Sequence, residues 1–137
     1  MVNEYVIIVG LGEIGAILLK EFFFNGNGIE VLGIDKTYSK VIDLNNHIKL
    51  NDPSSVDLCV LGDARDQNTL INNGLQRCTR LILTLDDDAN NLAVAQTARR
   101  LMDTFDIEQS SKNFEIITIV RNNENKSLFE LIGVDKI

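Results

Sequence analysis

Tyr5-Val6-Ile7-Ile8-Val9-Gly10-Leu11-Gly12-Glu13-Ile14-Gly15 is the stretch that decides the fold. Tyr5 to Val9 is a nearly continuous apolar run, the pattern required of a parallel strand buried on both faces. Gly10 to Gly15 then matches GxGxxG, directly after that strand and at the start of a helical pattern. The spacing has a physical reading. Gly10 permits the tight turn, Gly12 removes the side chain that would block a pyrophosphate, and Gly15 lets helix and strand approach closely. Leu11, Glu13 and Ile14 complete the loop that would surround the phosphates. Twenty residues after Gly15, at the end of the next apolar run, stands Asp35, where a carboxylate can accept both hydroxyls of an adenosine ribose. It argues against a 2′-phosphate, which would face a like charge, while the neighbouring Lys36 pulls the other way. A Walker A loop is excluded because Ala16 and Ile17 follow Gly15 where Lys and Ser or Thr would stand.

Outward from this stretch, short apolar runs alternate with longer helical patterns, the signature of βαβ units around a parallel sheet. Strands are expected at Tyr5–Val9, Ile29–Ile34, Val56–Leu61, Arg80–Leu85 and Phe114–Val120. Helices are expected at Glu13–Asn25, with Ile14, Ile17, Leu18 and Phe22 at helical spacing, and at Lys36–Asn46, Asp66–Asn73, Ala89–Met102 and Asn122–Ile132. Val134–Ile137 opens a sixth strand that stops almost as it starts, so a larger protein could continue from here. Asn51–Ser55 and Asp106–Asn113 read as surface loops.

Composition narrows the function. The 137 residues, 45% hydrophobic and 24% charged, fit one compact domain with a core that needs neither disulfides nor metal. A net charge of −7 repels a phosphate backbone, which makes nucleic acid a poor partner. No apolar run approaches the roughly 18 residues of a membrane span, and the N-terminus lacks signal-peptide features, so a soluble, cytoplasmic chain is expected. Cys59 and Cys78 form no CxxC pair and read as inert thiols. His47 stands alone as a surface histidine, and neither Tyr5 nor Tyr38 is followed four residues later by Lys, so the Tyr-x-x-x-Lys pair of short-chain dehydrogenases is missing.

Across essentially its whole length the sequence resembles the N-terminal nucleotide-binding domain of RCK, or Trk-type, regulators of potassium channels and transporters. The residues that carry the resemblance are Gly10 to Gly15, Asp35, Leu61-Gly62-Asp63-Ala64, Thr84 to Asn90, Arg121 to Asn125 and Leu131 to Asp135. It implies a single domain over 1–137, with a Rossmann-like, doubly wound parallel sheet of order 3-2-1-4-5, extended by a sixth strand if one forms. It further implies that Gly62, Asp63 and Ala64 border the adenine, that Thr84 and Asp87 line the opening beyond the phosphates, and that Arg121 points toward the ligand. For Asp86, Asp87 and Asp88, helix capping competes with ligand contact, and metal binding comes third. For Arg121 the alternative is a solvated surface charge.

NAD or NADH is the favoured ligand, with ATP, ADP or AMP as the others, because a carboxylate at Glu13 would repel a γ-phosphate. The resemblance implies a regulatory, non-catalytic subunit that forms a homo-oligomer and gates a potassium channel or transporter from the cytoplasmic face of the membrane. Pairing would use apolar positions at Leu92, Val94, Ala95, Leu101, Leu128, Phe129 and Leu131. The alternatives are an excised NAD-binding domain of an oxidoreductase, which would need further chain to cover a nicotinamide, and a nucleotide-binding scaffold of another role.

Overall fold

The computed structural model describes residues 4–105 and 113–137. Its elements are β1 (Glu4–Val9), α1 (Glu13–Asn25), β2 (Ile29–Asp35), α2 (Tyr38–Asn51), β3 (Cys59–Leu61), α3 (Gln67–Asn72), β4 (Arg80–Leu83), α4 (Asp88–Thr104), β5 (Glu115–Thr118) and α5 (Lys126–Leu131). Among the described residues the five strands are all parallel, in the order β3-β2-β1-β4-β5. This is the doubly wound α/β architecture expected from the sequence. The predicted loop at Asp106–Asn113 lies outside the described residues except for Asn113.

Side chains alternate across β1 and so divide the core in two. Tyr5, Ile7 and Val9 pack with Leu70, Leu81, Val94, Ala98 and Phe129 on the face covered by α3, α4 and α5. Val6 and Ile8 pack with Leu11, Leu19, Val41, Leu44 and Ile48 on the face covered by α1 and α2. Register then sets the site. Val9 pairs with Ile34 on one side and Leu83 on the other, so Gly10, Asp35 and Thr84 leave the sheet together at one edge.

Several boundaries differ from expectation, each for a local reason. α2 starts at Tyr38, because the Asp35 carboxylate takes the Thr37 N–H and holds it extended. It ends a turn later than Asn46, since Ile48 is buried in the core. β3 begins at Cys59, and Val56, expected to be its first residue, is exposed. β4 stops at Leu83, because Leu85 bonds through both its N–H and its carbonyl to the Asn91 side chain. The last helix is preceded by a separate 3₁₀ turn at Asn123–Asn125. The sixth strand reduces to a single parallel bridge between Ile117 and Lys136.

The apolar positions assigned to α1 and to pairing also need correction. α1 faces the sheet through Gly15 and Leu19, whereas Ile14 and Ile17 are exposed. Of the seven proposed pairing positions, Val94, Ala95, Leu101 and Phe129 are core, and Leu92 packs against the core. Only Leu128 and Leu131 are exposed, so the apolar surplus is smaller than the sequence implies. Among the described residues no helix is long and apolar enough to cross a membrane.

Among the glycines, the closest packing lies where α1 starts. A Cβ at Gly15 would overlap the Gly10 carbonyl oxygen and come within 2.8 Å of Thr84 Oγ1. Gly10 itself has φ +99° and lies against the Thr84 backbone. A Cβ at Gly12 would have Asp86 Oδ1, 4.0 Å away, as its nearest neighbour. Gly15→Ala is therefore expected to cost about 2 kcal/mol or more, as overpacked cores do, and to lower the melting temperature by several degrees. Gly12→Ala should melt close to the parent chain. Thermal unfolding by circular dichroism checks the contrast, and equal losses in the two variants would contradict it.

Candidate functional site

The C-terminal edge of the sheet is organised by two side chains that sequence reading assigns to a ligand. Asp35 is buried, with Oδ2 accepting from the Leu11 N–H at 2.8 Å and Oδ1 from the Thr37 N–H at 2.8 Å. It thereby ties the β1–α1 turn to the β2–α2 turn. Each carboxylate oxygen retains acceptor capacity for a further donor. Thr84 is buried at the end of β4, its hydroxyl within reach of the Gly10 and Val9 carbonyls at 2.9 and 3.2 Å. It clips the glycine turn from the opposite side.

Three cavities run on from one another along this edge. The first is a small, mainly apolar pocket lined by Val9, Ile34, Ala64 and Leu85 together with Asp35, Lys36, Gly62, Asp63, Arg65 and Asn90. It shares Asp35, Lys36, Leu85 and Asn90 with a second of about 600 Å³, which reaches Gly10, Gly12, Thr37, Lys40, Thr84, Asp86 and Asp87. Gly12, Thr84 and Asp86 continue into a third, bounded by Glu13, Ile14 and Arg121. The result is one open cleft with an apolar end, a middle flanked by two lysines, and a far end at the start of α1. Gly12 caps α1 without a side-chain hydrogen bond. The first N–H groups of a helix have no intrahelical partner, and here that end of α1 borders the cleft.

Of the residues singled out from sequence, Gly10, Gly12, Glu13, Ile14, Asp35, Lys36, Gly62, Asp63, Ala64, Thr84, Asp87 and Arg121 line this cleft. Leu11 and Gly15 do not. Leu11 turns into the core and Gly15 is buried against Gly10, so both shape the turn from behind. Sequence reasoning does not find Lys40 and Arg65. Lys36 precedes α2 and Lys40 lies in its first turn, while Arg65 follows Asp63 by two residues, positions that become neighbours of one cleft only once the backbone path is known.

Much of the charge at this edge is already used by the protein. Asp87 is the N-cap of α4, accepting the Asn90 N–H at 2.7 Å. Asp88 is buried and accepts from the Arg121 and Asn122 N–H groups and from Asn125 Nδ2, at 2.9, 3.0 and 3.0 Å. These donors, the Arg121 N–H foremost, hold its carboxyl below the usual carboxylate range. The Arg121 guanidinium donates to the Asp86 and Leu85 carbonyls at 2.6 and 3.0 Å, bracing the loop after β4. Of the three aspartates, only Asp86 has neither of these structural bonds and faces the cleft. Arg65 lowers the Asp63 carboxyl to about 2 through its side-chain hydrogen bonds. Both cysteines are buried, and burial pushes each thiol up to about 12, so neither is a nucleophile at neutral pH. Among the described residues no group of three His, Cys, Asp or Glu side chains could hold a metal ion.

Residues 6–137 match the model of the TrkA-N domain. The chain belongs to the TrkA-N domain family. Solved structures similar to this TrkA-N domain share its fold at low identity. The TrkA-N domain of the inner membrane protein ybaL from Escherichia coli has a TM-score of 0.74 at 18% identity, covering 99% of this chain and 86% of that one. The NAD(P)-binding domain of an exopolyphosphatase-related protein from Archaeoglobus fulgidus gives 0.72 at 22%, covering 98% and 86%. GsuK bound to ADP gives 0.70 at 17%, covering 98% of this chain and 30% of that one. No curated protein matches the sequence at a significant level.

Asp88 links α4 to the loop after β5, and it does so as an anion. A carboxyl whose folded pKa is depressed stabilises the fold above its unfolded value of about 3.9, and that contribution disappears as pH falls through the lower folded value. Asp88→Ala, which removes the acceptor of three part-buried donors, should cost about 1 kcal/mol at pH 7. Denaturant melts at pH 7 and below pH 3 check this, the gap between variant and parent being expected to narrow in acid. A gap independent of pH would contradict the charged role.

Proposed function

We propose that this TrkA-N domain binds an adenine nucleotide along the cleft and acts as a non-catalytic sensor. The phosphates lie on the N-terminus of α1, the ribose hydroxyls on Asp35, and the base in the apolar pocket by Gly62, Asp63 and Ala64. One observation carries this reading. The open N-terminus of α1, the Asp35 carboxylate and the apolar pocket lie along one continuous cleft. An anion, a diol and a flat apolar ring attached in that order match it chemically. The ADP-bound GsuK and the NAD(P)-binding domain from Archaeoglobus fulgidus share the fold and support the ligand class.

Charge at the far end orders the candidates. Glu13 and Asp86 line the third cavity, where a γ-phosphate extending past α1 would meet them, while the Arg121 head is already held by two carbonyls. This charge pattern favours NAD(H), ADP and AMP over ATP. The functional role follows from population shift: a nucleotide that binds one arrangement of an assembly better moves it toward that arrangement by the difference in binding energy. The assembly we propose is a homo-oligomer attached to a potassium channel or transporter subunit at the cytoplasmic face of the membrane. The GsuK channel, of which the matched part is 21% of the chain, is the kind of setting in which such a domain would work.

Thermal scans with NADH, NAD, ADP, AMP and ATP test the binding. Ligand at a hundred times its dissociation constant should add about 2.7 kcal/mol, a shift of several degrees, and ATP should shift least at equal concentration. Gly12→Ala, which puts a methyl group where the phosphates approach, should abolish the shift while leaving the unliganded melt unchanged. NADH should remain unoxidised on incubation with small carbonyl compounds. No shift with any nucleotide would overturn the proposal, and steady NADH turnover would favour the oxidoreductase reading.

A further inference from the structure

The rim of the apolar pocket carries a side chain that the nucleotide reading leaves without a role. Arg65 follows the Gly62–Ala64 turn and lines the pocket with its side chain about 44% exposed, so it lies over the pocket and not in the core. Its guanidinium has two partners of unequal kind. Towards its own turn it grips the Asp63 carboxylate, with Nε 3.0 and 3.2 Å from the two oxygens and Nη2 at 2.7 Å. Towards the opposite wall, Nη1 donates to Asn90 Oδ1 at 3.2 Å, 25 residues along the chain on the first turn of α4. One side chain thus bridges the two walls of the pocket above Val9, Ile34, Ala64 and Leu85.

The two attachments differ in strength in a way that gives Arg65 a fixed end and a loose end. The bond to Asp63 is charge-assisted, forked and short, and such pairs are the strong ones. The bond to Asn90 is single, long and accepted by a neutral amide. Asn90 is anchored independently, its Nδ2 donating to Asp87 Oδ2 at 2.9 Å, so releasing Arg65 does not cut it loose. A planar ring sliding over the apolar floor meets the guanidinium at the mouth. A guanidinium plane stacks well on an aromatic face, an exchange that replaces one weak neutral hydrogen bond with a cation–π contact.

We propose that Arg65 is a base-contacting clasp: in the empty domain Asn90 holds it across the pocket mouth, and an entering adenine breaks that link and takes the guanidinium onto its face. The proposal rests on the nucleotide reading above and adds to it a residue and a competition. Asn90 and the base compete for one side chain, so removing each partner should have opposite effects. Occupancy of the base pocket would then also change what is attached to the first turn of α4, at the opposite wall from the base.

Calorimetric titration of AMP and of adenosine into the parent chain, Asn90→Ala, Arg65→Ala, Arg65→Lys and the Arg65→Ala/Asn90→Ala double variant tests this, with each variant's melting curve recorded to show that it is folded. Asn90→Ala should bind both ligands about two- to fivefold more tightly, because the empty clasp no longer has to be released. Arg65→Ala should bind both about three- to tenfold more weakly, and Arg65→Lys should be nearly as weak, having charge without a plane. In the double variant the gain from Asn90→Ala should vanish, since no guanidinium remains to be freed. Loss of AMP binding without loss of adenosine binding in Arg65→Ala would assign Arg65 to the phosphate charge and overturn the clasp. Unchanged or weaker binding in Asn90→Ala, or additive effects, would overturn it too, while leaving nucleotide binding intact. A parent chain that binds neither AMP nor adenosine would overturn the nucleotide reading itself and the clasp with it.

Discussion

Gly15 has no side chain, and the Gly10 carbonyl occupies the place where one would begin. That contact lets α1 start directly above the end of β1 instead of swinging clear of the sheet. Once it is made, the neighbouring bonds fall into place: Thr84 reaches the same carbonyl from β4, and Asp35 holds Leu11 from β2. Three adjacent strands are therefore fastened to one turn, and the helix end they carry is left without a cap. An uncapped, rigidly placed helix N-terminus is a ready anion site because its N–H groups are already ordered and lose no further entropy when an anion arrives.

The same edge shows how an acidic chain can present a site to an anion. With a net charge of −7, carboxylates are unavoidable near the cleft, and several are already engaged by donors of the protein itself. Asp88 is surrounded by two backbone N–H groups and an amide, Asp87 caps α4, and Asp63 is paired with Arg65. What remains facing the third cavity is Glu13 and Asp86, at the far end from the apolar pocket. The charge along the cleft is thus uneven, with lysines beside the middle and carboxylates beyond the helix end.

Much of this is legible in the sequence because glycine spacing and apolar alternation are local signals. The span of α1 follows from Glu13 and from the glycines at 26 and 28, and the strand order from the alternation of elements together with the family resemblance. What escapes depends on non-local contacts. Asp35 reads as a ligand group, yet its first duty is to two backbone N–H groups, which only the meeting of two turns reveals. Ile14 and Ile17 look like a core face at helical spacing, but the close approach at Gly15 rotates α1 so that Gly15 and Leu19 face inward. Arg121, expected to point at a ligand, lines the third cavity with its guanidinium tied to the loop after β4. Arg65 carries no motif at all and matters only because the fold brings Asn90 within reach.

The proposed placement, phosphates at the start of α1 and a base at the other end of the same cleft, can be mapped residue by residue. Amide chemical shifts of the isotopically labelled chain, followed during titration with ADP, report on both ends at once. The largest changes are expected at the amides of Gly12, Glu13 and Ile14, with a second set at Gly62 to Arg65, and little change in the groove lined by Gln96, Arg99 and Arg100 on the flank of α4. Saturable shifts centred on that groove, with the Gly12–Ile14 amides unmoved, would contradict this placement of the ligand.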